Sequence, residues 1–210
     1  LSTGLEADRN GVRFNDDPFA LAADSLWEEA RAAGLTVSAV SELPWWRELF
    51  PRGFDRYVLG QRAENFFEMA PAADVRLIHP LYVDEAGHES GADSPQYGAA
   101  VGRIDRELGQ FLSGAAVDLT RDLVVVTADH GHTSQIVEAG ANTPGLTATL
   151  LTADGSPMTI SYGTAPAGGS QQHTGTQVRI AGYGPQAANV VGLTDQTDLF
   201  FTISRALKLG

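Results

Sequence analysis

The residues of this chain best suited to grip a cation are its five histidines, His79, His88, His130, His132 and His173, and the acids beside them. In Asp84-Glu85-Ala86-Gly87-His88 a carboxylate and an imidazole stand four residues apart. A helical turn there would put both on one face, able to share one metal ion. Taken alone, this pattern reads as a polar loop sooner than as a site. Asp129-His130-Gly131-His132 is denser. Carboxylate oxygen and neutral imidazole nitrogen both suit Zn2+, and Gly131 permits a tight path on which neighbouring side chains converge. His132 could ligate, or orient a ligating carboxylate through a hydrogen bond. Gln172-His173-Thr174-Gly175 offers a lone histidine, which by itself reads as a loop residue bonded to backbone. Together Asp84, His88, Asp129, His130 and His173 divide naturally between two cations. Paired metals about 4 Å apart stabilise in-line displacement at phosphorus.

The charge of the chain fits phosphate chemistry only through such metals. In 210 residues, 14 Lys and Arg face 26 Asp and Glu, a formal net charge of −12. This argues against binding a nucleic-acid backbone, which needs a basic face. Two zinc ions would reverse the field locally and give an acidic protein a cationic pocket. There is no cysteine, which excludes a disulfide framework, a thiolate metal site and a cysteine nucleophile. No apolar run approaches the roughly 20 residues needed to span a bilayer.

The elements that must position these residues alternate between strand-like and helix-like. Ser25 and Glu28 form a capping-box pattern ahead of a helix over Leu26 to Ala33, with Gly34 as its stop. A strand over Leu35 to Val40 follows, then a turn-rich stretch with Pro44, Trp45, Trp46, Pro51 and Gly53, and a short helix around Arg62 to Ala70. The tryptophans read as packing residues. Val75 to Val83 is strand-like, and Pro80 implies an early end just before Asp84. Ser94 and Pro95 open a helix with Tyr97, Val101, Ile104, Leu108 and Phe111 on one face, while Arg103, Asp105, Arg106 and Glu107 read as solvated surface. Leu123 to Thr127 has the valine-rich character of a strand buried on both faces of a parallel sheet. Thr147 to Thr152 and Met158 to Tyr162 flank Asp154-Gly155 as a hairpin, and Gly163 to Ser170 is a loop. Gln177 to Ala181 reads as a strand, and Leu199, Phe200, Ile203 and Leu207 mark a last helix capped by Thr194 or Asp195. This alternation predicts an α/β fold, a three-layer sandwich around a mostly parallel central sheet.

Longer stretches carry a family resemblance. The run from Asp129-His130-Gly131-His132 through Gln135-Ile136-Val137 resembles bacterial alkaline phosphatases. So does the stretch from Ser170-Gln171-Gln172-His173-Thr174-Gly175 to Thr194-Asp195-Gln196-Thr197-Asp198-Leu199. Asp84 to Leu112, with Asp93-Ser94-Pro95-Gln96-Tyr97, is similar instead to the nucleotide pyrophosphatase/phosphodiesterase branch of the same superfamily, as are Leu1 to Leu5 and Leu26 to Gly34. The resemblance implies a zinc-dependent phosphomonoester hydrolase working through a covalent phospho-enzyme, with a phosphodiesterase or an inactive metal-binding module as alternatives. It implies that Asp84, His88 and His173 hold one zinc, that Asp129 and His130 hold the second, and that His132 supports Asp84. A phosphate ester substrate, a homodimer and export to the periplasm or beyond rest on the resemblance alone.

The chain also departs from the pattern. In the family the nucleophile precedes the Ser-Thr-Gly segment, and here Leu1-Ser2-Thr3-Gly4 opens the chain. Residues 1–210 are accordingly expected to be the C-terminal portion of a single catalytic domain, with the nucleophile upstream. Ser2 and Thr3 read as ordinary turn or strand residues. Three-metal relatives carry a glutamate where His79 stands, which makes Mg2+ doubtful, since magnesium prefers oxygen ligands. The family's phosphate-clamping arginine has no clear match; Arg76, Arg103 and Arg179 qualify by charge only and read as surface residues.

Overall fold

The computed structural model describes residues 1–12, 20–132, 135–140, 147–161, 163, 165 and 169–209. In chain order, helices α1 (Ala7–Asn10) and α2 (Leu26–Ala32) lead to β1 (Val37–Ser41), α3 (Trp45–Leu49) and β2 (Arg56–Leu59). Next come α4 (Phe66–Met69), β3 (Val75–His79), α5 (Tyr82–Ser90) and α6 (Pro95–Ser113). The remainder is β4 (Val124–Val126), β5 (Gln135–Val137), β6 (Thr147–Leu151), β7 (Pro157–Ser161), β8 (Ala181–Tyr183) and α7 (Asp198–Leu207). These form two compact units. One comprises Leu1–Pro80, Gln110–Thr127 and Ile180–Gly210; the other comprises Leu81–Gly109 and Ala128–Arg179.

The first unit is built on a parallel sheet of order β2-β1-β3. All five residues of β1 are buried. Successive strand side chains point to opposite faces, so a strand buried throughout is covered on both sides, as the sandwich expectation requires. Leu26, Trp27 and Ala30 of α2 join Val37, Phe50, Val75 and Phe200 in the core. The helix starts where the capping box predicts: the Ser25 hydroxyl accepts from Glu28 N at 3.2 Å, and the Glu28 carboxylate accepts from Ser25 N at 3.3 Å. Gly34 then leaves the helix at φ +84°. The strand starts are tied by carboxylates, Asp55 accepting from Val37 N at 2.8 Å and Asp74 from Thr36 N at 2.8 Å. At the far end Ser41 pairs in register with His79, and its hydroxyl lies 3.0 Å from His79 Nδ1. Trp46 meets the His79 ring edge-on and Trp27 is buried, so these two of the three tryptophans pack as expected, while Trp45 is half-buried.

Several expectations for this unit need correction. The valine-rich strand β4 is half-buried and pairs antiparallel with β8, not within the parallel sheet. A short run of β-branched residues fits either pairing equally well, so local sequence cannot choose. The strand expected over Gln177 to Ala181 begins only at Ala181. Neither Thr194 nor Asp195 caps α7: Thr197 occupies the cap, and its hydroxyl donates back to Asp195 at 2.8 Å instead of capping the helix. Asp195 also accepts from Thr197 N at 2.8 Å, closing a turn ahead of the helix. The turn-rich stretch also holds α3 and β2, too short to show a period.

The second unit contains α5, α6 up to Gly109, and an antiparallel sheet of order β5-β7-β6. Its β6–β7 hairpin turns at Asp154-Gly155 as expected, with Gly155 at φ +82°. Tyr162 and much of the predicted Gly163 to Ser170 loop lie outside the described residues. Ser94 caps α6 by accepting from Tyr97 N at 3.0 Å. Two charges assigned to solvent are structural instead. Arg103 donates to Glu107 at 2.7 Å and lies 4.2 Å over the Tyr82 ring, whose hydroxyl donates to Glu107 at 3.0 Å. The long stems of these residues cover apolar surface while their heads pair, which couples α5 to α6. Among the described residues no helix is long and apolar enough to cross a membrane.

Candidate metal centre

The Asp84-x-x-x-His88 pattern does fall on a helix. α5 sets both residues on one face, with His88 Nε2 3.5 Å from Asp84 Oδ2. Two backbone stitches bring the remaining residues to this face. Thr174 N donates to the Gly131 carbonyl at 2.8 Å in an isolated antiparallel bridge, which sets His173 beside His130 and His132. Gln171 N donates to the His88 carbonyl at 2.9 Å, and His88 Nδ1 donates in return to the Gln171 carbonyl.

The result is a convergence of donors. His132 Nε2 is 2.7 Å and His173 Nε2 3.2 Å from Asp84 Oδ1, and His173 Nε2 is 2.9 Å from His88 Nε2. One ligand atom each from Asp84, His88, His132 and His173 falls within 4.8 Å of all the others. His130 adjoins this group, stacked on His173 with ring centroids 3.4 Å apart, and its Nε2 is 3.8 Å from Asp84 Oδ1. Asp129 lies 3.4 Å from the same His130 nitrogen with its carboxylate largely exposed. Four donors thus gather tightly, while Asp129 and His130 form an adjoining pair.

The donor chemistry fits a cation. The Gln171 carbonyl can only accept, so His88 carries its proton on Nδ1 and presents a lone pair at Nε2. That lone pair faces His173 Nε2 at 2.9 Å, an arrangement that needs a proton or a metal ion between the rings. Burial and the neighbouring His130 push the His173 pKa below the ordinary imidazole value, which favours the neutral, ligating form. Burial works to raise the Asp84 pKa. The hydrogen bond from His132 and the imidazoles around it outweigh that, and the carboxyl is held below its ordinary value, ionised and ready to ligate. An open cleft of about 310 Å³ lies beside His88, lined also by Glu89, Gly169 and Ser170.

Other sequence candidates serve elsewhere. His79 is bonded to Ser41, Arg76 donates to the Ala116 carbonyl at 3.1 Å, and Arg103 pairs with Glu107. Thr3 accepts from Leu5 N at 3.3 Å, a turn contact in keeping with its reading. Sequence reasoning missed the Gln171 carbonyl, since main-chain acceptors have no sequence signature. It also missed Tyr97, whose ring lies 6.4 Å from that of His132 and whose phenol pKa is raised by burial and by Asp84. Its place three residues after the Ser94 cap on the first turn of α6 was a usable signal.

Comparison with known proteins finds matches along both parts of the chain. Residues 12–138 match the family described as type I phosphodiesterase / nucleotide pyrophosphatase, and residues 165–209 match alkaline phosphatase. The chain is 59% identical over 106 residues to alkaline phosphatase H of Pseudomonas aeruginosa (strain UCBPP-PA14), covering 50% of this chain and 22% of that protein. It is 42% identical over 127 residues to streptomycin-6-phosphate phosphatase of Streptomyces griseus, covering 60% and 28%. It therefore spans less than a third of either curated relative. Murine ectonucleotide pyrophosphatase / phosphodiesterase 5 shares the fold, with a TM-score of 0.65 at 16% identity over 100% of this chain and 82% of that one. With the first family matched over more than half of its residues, the chain belongs to the type I phosphodiesterase / nucleotide pyrophosphatase family, and its C-terminal stretch follows the alkaline phosphatase pattern.

Proposed function

We propose that this chain is the metal-holding part of a zinc-dependent phosphoester hydrolase, acting on phosphate monoesters in the manner of its alkaline phosphatase relatives. The observation that carries the reading is the convergence of Asp84, His88 and His173 donors on one point. These three would hold one zinc, and Asp129 with His130 would contribute to a second. Bound zinc supplies a Lewis acid that offsets the charge of the phosphate. The protein's own groups orient the ligands. His132 fixes Asp84 Oδ1, the Gln171 carbonyl fixes the His88 tautomer, and His130 packs on the His173 ring. The hydroxyl that takes the phosphoryl group is proposed to lie outside the numbered residues, within the same catalytic domain of an exported, dimeric protein.

A second reading, hydrolysis of phosphodiesters, is favoured by the family match over residues 12–138. The full-length parent protein, loaded with zinc and assayed on p-nitrophenyl phosphate and bis-p-nitrophenyl phosphate, separates the two. Faster release from the monoester, abolished by chelation, is the expected result. A diester preference supports the second reading, and zinc binding without turnover of either substrate identifies an inactive metal-binding module.

A further inference from the structure

Gly87 lies inside α5, between the two residues that the helix offers to the cation. A helix-interior glycine is less favourable than alanine. Two glycines of α6, Gly98 and Gly109, have open space where a Cβ would sit. Gly87 differs. A Cβ there would lie 2.6 Å from His132 Cγ, 2.7 Å from its Cδ2 and 2.8 Å from its Nδ1. Cγ is the ring atom nearest the main chain, so a swing of the ring's outer edge cannot relieve the contact.

His132 makes one side-chain hydrogen bond and packs among neighbouring rings, edge-on to His173 with centroids 5.0 Å apart and to His130 at 5.7 Å. Its Nε2 reaches Asp84 Oδ1 at 2.7 Å, and the His88 ring meets it edge-on with centroids 4.7 Å apart. Its Nδ1 is buried with no hydrogen-bond partner among the described residues. One hydrogen bond fixes the Nε2 end of the imidazole, the neighbouring rings flank it, and the bare backbone at Gly87 leaves the room that lets the ring sit this close to α5. We propose that Gly87 is a positioning residue, a seat that admits His132 to the α5 surface so that it can hold Asp84 in its ligating pose.

This rests on the metal-centre reading above, and its test separates the two. Zinc affinity is measured by competition with a chelating dye on the full-length parent protein, as wild type and as Gly87→Ala, His132→Ala, the double variant and Gly98→Ala. Loss of a group that orients a metal ligand typically costs about 10–100-fold in affinity. Gly87→Ala and His132→Ala should each show a loss of that order. The double variant should be no weaker than His132→Ala alone, because the seat matters only through the ring it seats, and Gly98→Ala should bind as wild type. Wild-type affinity in Gly87→Ala, a double-variant loss equal to the product of the single losses, or an equal loss in Gly98→Ala overturns the proposal. If Gly87→Ala fails to fold by circular dichroism, removing the His132 ring should restore folding, and a double variant that also fails to fold overturns it. A wild-type protein that binds no zinc overturns the metal-centre reading and this proposal together, whereas wild-type binding with an unaffected Gly87→Ala overturns this one alone.

Discussion

Strand β1 and the histidine cluster use burial in opposite ways. Every β1 residue is buried, its backbone is paired on both sides, and its polar side chains are bonded within the fold, Ser38 to the Pro71 carbonyl and Ser41 to His79. In the cluster His132 is buried, while Asp84, His88 and His130 are half-buried and His173 is exposed. Its interactions run between side chains, several of which share the two oxygens of Asp84. The first region gains from excluding water, the second from keeping charged and lone-pair groups within reach of solvent. Stability and ligand affinity should therefore respond to different residues.

The largest effect should come from the buried side. Phe66 is fully buried, and Phe66→Ala should cost about 3–5 kcal/mol in denaturant unfolding. The zinc affinity of the variant that remains folded should be unchanged, and a loss of affinity there would break the separation. Removing a proposed ligand is the converse. His88→Ala should weaken zinc binding by at least about 100-fold, roughly 2.8 kcal/mol, with the metal-free melting temperature close to wild type. Ser25→Ala removes half of the capping box and should cost about 1 kcal/mol, read as a lower denaturant midpoint at constant slope. The smallest effect sharpens the margins of the sheet. Bonds from the Thr36 hydroxyl and N–H hold the Asp74 pKa below its ordinary value. Its contribution is therefore present above about pH 4 and lost as the pH falls through the lower, folded-state value. Asp74→Asn should show less acid destabilisation than wild type in melts below pH 4, and an unchanged acid limb would show that Asp74 does not contribute.

Much of this organisation was legible in the residues themselves. The Ser25–Glu28 box, the Asp154-Gly155 hairpin and the Ser94-Pro95 helix start are local devices whose geometry depends on neighbours in sequence, and each stands where it was expected. Asp84 with His88 was legible for the same reason, since helical spacing alone sets that pair. Pairing partners were not. Whether β4 joins a parallel or an antiparallel neighbour depends on residues far along the chain. Arg103 and Glu107 were misread because a helix pattern shows which way a stem points, not that an aromatic ring such as Tyr82 waits beneath its head. The stitch between Gly131 and Thr174, which delivers His173, is made by main-chain atoms and leaves no trace in side-chain identity.

The bond from His88 Nδ1 to the Gln171 carbonyl has a corresponding consequence for mutational tolerance. A carboxylate or amide in that role disappears with one codon change, but every amino acid carries a main-chain carbonyl. The Gln171 side chain bonds Ala165 and Gly169, so a substitution at 171 reaches the His88 proton only indirectly, through the path of the chain. Control of that tautomer is therefore exposed to whatever shifts the main chain before His173, an insertion or deletion there above all.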